Sequence, residues 1–121
     1  MEWAFIALIA VFAFAYIFFR RSGQIPVKDA HECLRKGALI VDVRTPAEFN
    51  TRHLPEAINL PVDQIESTLP PHVTDKNQPI LLHCHAGRRS AAAMKKLNAI
   101  GYINVYNLGS YTRAERIVKS A

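Results

Sequence analysis

Hydrophobic positions fall into two unlike patterns along this chain. From residue 3 to residue 19, seventeen apolar residues follow one another without a break. After Arg20-Arg21 the pattern becomes short apolar runs and helical stripes, separated by Gly, Pro and polar residues. Ser22-Gly23-Gln24 reads as a linker, and residues 24–27 as an edge segment. Val27, Ala30, His31 and Leu34 recur at helical spacing, with Lys36 in the last turn and Gly37 as the stop. Residues 38–43 are an apolar run rich in β-branched side chains, the pattern of a strand buried on both faces. Thr45-Pro46-Ala47-Glu48 is a capping box with proline at the first helical position, so a short helix starts there. A brief strand over 57–60 precedes a helical stripe of Val62, Ile65 and Leu69, ended by Pro70-Pro71. A strand over 79–83, a helix over 90–100 closed by Gly101, a strand over 104–107 and a helix over 111–121 complete the chain. Strands alternating with helices predict an α/β fold: a parallel sheet with helices on both faces, its sites beyond the carboxyl ends of the strands.

The N-terminal run changes the picture. Seventeen helical residues span about 25 Å, enough for a thin or locally adjusted bilayer. The absence of any polar face argues against a buried core helix. A secretory signal would have a positive start and a small-x-small cleavage site, but this chain starts Met1-Glu2 and its only tidy match, Ala13-Phe14-Ala15, lies inside the run. The expectation is one uncleaved transmembrane helix. Residues 1–21 then form an anchor with a basic flank, and residues 22–121 form the folded domain. Arg20-Arg21 places that domain in the cytoplasm at the inner membrane by the positive-inside rule. The alternative is a cleaved signal and a periplasmic domain.

Composition narrows the rest. A chain of 121 residues with an anchor leaves one domain of about a hundred residues. The formal net charge is +5, but Lys and Arg are scattered among Asp and Glu with no aromatic-interleaved basic stripe, so nucleic acid is not an expected partner. Two cysteines, Cys33 and Cys84, are too few for a disulfide framework.

Candidate chemistry concentrates in His83-Cys84-His85-Ala86-Gly87-Arg88-Arg89-Ser90. A thiol between the end of a strand and the start of a helix meets unpaired backbone N–H groups and the positive end of the helix dipole. Two guanidinium groups beside such a nest of amides further favour thiolate over thiol. A free cysteine is more often a small buried hydrophobe, which is the preferred reading of Cys33; at Cys84 the loop favours a nucleophile. A metal site is not expected: in an extended segment Cys84 points away from His83 and His85, and no fourth ligand stands at a zinc spacing. Asp42, near the end of its strand, should open onto the same rim as Cys84. A buried carboxylate there needs a partner, and an arginine is the economical one.

Two motifs carry a resemblance. Cys84-x-x-Gly87-x-Arg89 followed by Ser90, together with the upstream block of residues 41–49 and 53–61, resembles the rhodanese family of sulfurtransferases, in particular its single-domain members. The likeness covers residues 24–108. Asn107-Leu108-Gly109-Ser110-Tyr111 departs from it, standing where many members carry a Gly-Gly pair and then a tryptophan.

The resemblance implies a sulfur relay with no cofactor. Cys84 would take the outer sulfur of an anionic donor such as thiosulfate and pass it, as a persulfide, to cyanide or a thiol. The amides of residues 85–89 would hold the persulfide charge, with His85, Ala86, Gly87, Arg88, Arg89 and Ser90 as the binding loop. Arg88 is the candidate for gripping the donor, and Gly87 supplies a backbone angle other residues resist. Asp42 and Arg44 would support the site, Asp42 either by buttressing the loop through Arg89 or as a structural ion pair only. Cysteine-dependent phosphatases need an arginine six residues after the cysteine. Here that residue is Ser90, and the shorter ring suits a single sulfur atom. A second reading makes the protein a membrane-tethered carrier that delivers persulfide sulfur to another protein.

Overall fold

The computed structural model describes residues 2–121, without the side chains of residues 17–22. Four strands, β1 (Leu39–Asp42), β2 (Ile58–Asn59), β3 (Ile80–His83) and β4 (Val105–Gly109), form one sheet in the order β2-β1-β3-β4. Every pairing is parallel, as the strand–helix alternation predicts. The central strands are buried almost throughout, because helices cover both faces of the sheet.

Period-two alternation along β3 divides the core. Ile80, Leu82 and Cys84 join one cluster, with Leu69 from the segment after α4 (Ile65–Thr68) and with Ala93, Met94 and Leu97 of α5 (Arg88–Ala99). Leu81 joins the other, with Ala30 of α2 (Val27–Arg35) and with Ala114 and Ile117 of α6 (Tyr111–Lys119). At roughly 1.5–3 kcal/mol for each fully buried aliphatic side chain, these two layers are the main force holding the strand ends in register.

Local signals set the element ends. The capping box forms as read: Thr45 accepts from the Glu48 N–H, Glu48 reaches back to the Thr45 N–H, and α3 (Pro46–Thr51) begins with proline. The stripe over 62–69 is a 3-10 turn (Val62–Gln64) running into α4. The helix expected from Ser90 starts two residues earlier, at Arg88, because Gly87 takes the left-handed conformation (φ 91°) and turns the chain directly into α5. The edge segment is also present. Gln24 bridges to Asn107 in parallel, and the Ile25 N–H donates to the Asn107 carbonyl.

Ahead of the domain, α1 runs from Glu2 to Ser22. The membrane-spanning expectation for residues 3–19 finds no support here: among the described residues no helix is long and apolar enough to cross a membrane. The remainder of the apolar run and the Arg20-Arg21 flank lie outside the described side chains.

Candidate active site

Strand β3 ends at His83 and delivers Cys84 to the carboxyl edge of the sheet, where sites form in parallel α/β folds. The loop that follows is bolted to the turn between β4 and α6. The Cys84 N–H donates to the Gly109 carbonyl, the Tyr111 N–H donates to the His85 carbonyl, and Ala86 bridges to Ser110. One irregularity makes this fit. Asn107 pairs with Leu82 and Gly109 with His83, so β4 carries one extra residue, and Gly109 has φ 92°.

Cys84 is 1% exposed, yet its sulfur sits in a polar cradle. The Gly87 N–H donates to Sγ over 2.9 Å, and the Ser90 hydroxyl lies 3.5 Å away. Burial works to raise the thiol pKa. The Ser90 hydroxyl and the N–H groups of Ser90, Gly87 and Ala86 outweigh it, and hold the thiol below its ordinary value. Cys33 shows the opposite balance: burial raises its thiol pKa.

The loop residues separate into two sets. Cys84, Gly87 and Ser90 are buried together, whereas His85, Ala86 and Arg88 are exposed on the rim. The Arg89 guanidinium turns to Glu48, with bonds of 2.7 and 3.0 Å, and makes no hydrogen bond to Asp42. Asp42 pairs instead with Arg44, which binds both carboxylate oxygens through Nε and Nη2 and one of them through its own backbone N–H. Asp42 is thus held in a buried ion pair with Arg44. Arg44 is tied further to the Arg52 carbonyl, and Asn59 Nδ2 donates to the carbonyls of both Asp42 and Arg44. Arg44 stands in the bend just after β1, two residues from Asp42, so nearness along the chain already offered it as the partner.

Three residues of the site went unread in the sequence. Glu48 serves the capping box and also the Arg89 pair; the Arg89 hydrogen bonds hold its carboxyl down to about 2. Asn107, 3% exposed, accepts from the Ser90 hydroxyl at 2.6 Å. His83 is fully buried on the face opposite Cys84, with an edge-on contact to Tyr111, and its Nε2 has no hydrogen-bond partner among the described residues. Burial lowers its pKa more than Asp42, 3.8 Å away, raises it, which favours the uncharged ring. Tyr111, at the departure from the family pattern, has the guanidinium groups of Arg44 and Arg52 over its ring, 4.8 and 4.6 Å from the ring centre. No cluster of three or more potential metal-ligating side chains occurs among the described residues.

A buried, amide-bonded thiol on a tight strand-to-helix loop at the edge of a parallel sheet defines a class of cysteine-nucleophile domains. This chain belongs to the rhodanese family: the Rhodanese-like domain matches residues 27–114. It is 36% identical over 69 residues to the thiosulfate sulfurtransferase PspE of Escherichia coli strain K12, a match covering 57% of this chain and 66% of that protein. With the thiosulfate sulfurtransferase GlpE of Pseudomonas syringae it shares 29% identity over 85 residues, covering 70% of this chain and 78% of the relative. Among solved structures, a rhodanese with anions from E. coli superposes with a TM-score of 0.61 at 33% identity, covering 63% of this chain and 89% of that one.

Proposed function

We propose that this protein is a sulfurtransferase that carries a sulfane sulfur on Cys84, taken from thiosulfate or a related anionic donor. The observation that carries the reading is the Gly87 N–H bond to Cys84 Sγ at the positive end of α5, where an anionic sulfur is held at little cost in reorganisation. The Cys84 thiolate attacks the outer sulfur of the donor. The donor's S–S bond breaks, sulfite leaves with the bonding pair, and the enzyme holds Cys84-S-S⁻. Cyanide or a thiol then attacks the terminal sulfur and restores the thiolate. Arg88, a cation at the end of a helix dipole that disfavours cations, makes electrostatic sense if a donor dianion docks beside it. His85 and Ala86 form the rest of the rim, and the Asp42–Arg44 pair fixes the neighbouring strand end.

The purified chain should convert thiosulfate and cyanide to thiocyanate and leave aryl phosphates intact, with a 32-Da adduct on Cys84 in mass spectrometry after exposure to thiosulfate. Arg89 is committed to Glu48, which supports sulfur over phosphate because no arginine closes the ring. Hydrolysis of aryl phosphates through Cys84 at comparable rates would overturn the assignment. Persulfide formation with very slow thiocyanate production would instead favour a carrier that hands sulfur to a partner protein.

Location belongs to the same proposal. The reading is that residues 3–19 hold the 22–121 domain at the cytoplasmic face of a membrane. Its support is the exposure of Trp3, Phe5, Ile9 and Phe12 along α1, apolar surface that water disfavours. In intact cells a membrane-impermeant thiol reagent should miss Cys84 until the membrane is opened. Immediate labelling would reverse the orientation, and a shortened chain in the periplasm would identify a cleaved signal.

A further inference from the structure

The environment of Ser90 contains more acceptors than its hydroxyl can serve. Asn107 Oδ1 lies 2.6 Å away, the Gly87 carbonyl 3.1 Å and Cys84 Sγ 3.5 Å. A hydroxyl has one proton to give. The orientation of the Asn107 amide is set independently of Ser90: Oδ1 accepts the Gly109 N–H at 2.8 Å, and Nδ2 donates to the Gly87 carbonyl at 3.3 Å. Oδ1 therefore faces Ser90 as an acceptor, and the shortest contact claims the proton. The Cys84 thiol can donate to the Ser90 oxygen, but a thiolate needs the Ser90 proton turned toward itself.

We propose that Asn107 is a positioning residue that competes with the Cys84 sulfur for the Ser90 proton, and so limits how far the loop stabilises the thiolate. This deepens the reading of Cys84 as the sulfur-carrying nucleophile and rests on it. A thiolate that is held too firmly attacks slowly, because nucleophilicity falls with basicity. With Asn107 in place, the Ser90 proton is shared between Oδ1 and the sulfur, the fixed amides add the rest, and the sulfur retains its reactivity. The role also explains a buried asparagine in a strand that otherwise packs apolar side chains.

The test is a pH titration of thiolate absorbance on the full chain, which needs no sulfur donor. Asn107→Leu removes the competing acceptor at similar volume and should lower the Cys84 pKa by roughly half a unit to one unit. Thiolate alkylation measured well above the pKa should then slow by about threefold per unit, following the nucleophilicity trend of thiols. In the Ser90→Ala background the same substitution should leave the pKa in place. The Asp42–Arg44 and Glu48–Arg89 pairs, and His83, His85 and Arg88 around the loop, are the same in all variants. Should Asn107→Leu fail to fold, Asn107→Asp carries the test: it should raise the pKa, and by more with the Ser90 hydroxyl present than without it. A folded Asn107→Leu protein with an unmoved or raised pKa, a shift that persists without Ser90, or equal rises for Asn107→Asp in both backgrounds would each overturn the proposal. If the pKa shifts appear as stated but neither a Cys84 persulfide nor thiocyanate forms, the sulfur-transfer reading fails and the role of Asn107 stands.

Discussion

Cys84 is buried and Cys33 partly so, and the decisive difference between them lies in what surrounds each sulfur. Burial raises the pKa of Cys33, while at Cys84 donors from Ser90, Gly87 and Ala86 overcome the same penalty. Replacing Cys84 with serine should therefore abolish persulfide formation, and Cys33→Ser should leave its rate nearly unchanged. Equal losses, measured by adduct mass and thiocyanate production, would mean the two thiols work as a redox pair. Arg88 permits a second prediction at this scale. Its exposed guanidinium acts on the donor through screened charge, so Arg88→Ala should raise the thiosulfate KM roughly two- to fivefold while kcat falls less. A drop in kcat with KM unmoved would place Arg88 on the transition state instead.

The decisive element is the turn from β3 into α5. Gly87 sits at φ 91°, where a side chain strains the backbone, and an added Cβ would come within 3.4 Å of Gly109 Cα. That distance is ordinary contact, so the obstacle is the backbone angle and not the space. A β-branched residue resists this conformation most, so Gly87→Val should swing the Gly87 N–H away from Sγ. The expected result is a loss in kcat on the order of a hundredfold, the usual cost of one lost donor to a reacting anion. Gly87→Ala should cost less, and equal activity for the valine variant and the native chain would remove the Gly87 amide from the mechanism.

Across the whole molecule, the Glu48–Arg89 pair ties the segment after β1 to the helix after β3. Glu48 titrates from an ordinary value of 4.5 down to about 2 in the folded state. A depressed folded value contributes stability that is complete above about 4.5 and lost as pH falls through about 2. Because both side chains are about one-third exposed (36% and 34%), solvent screening limits the worth of the pair to a fraction of a kcal/mol up to about 1 kcal/mol. Glu48→Gln should flatten that part of the acid limb in urea unfolding at pH 5, 4 and 3, and leave a smaller gap between variant and native chain at pH 3 than at pH 5. A gap that is constant with pH would show that the capping role of Glu48 accounts for its whole contribution.

What the sequence determined by itself is what depends on neighbours along the chain. The strand–helix alternation, the Thr45–Glu48 box and the Cys84–Ser90 loop are patterns within a few residues, where dihedral preference and hydrogen bonding act locally. The tertiary structure decided which charges and hydroxyls meet. Glu48 took Arg89 from 41 residues away, and Asn107 of β4 reached Ser90 of α5. Each of those side chains had several partners of suitable charge in the composition. Only the register of four parallel strands and the extra residue in β4 bring one of them within bonding distance, and register is set by core packing rather than by any local signal.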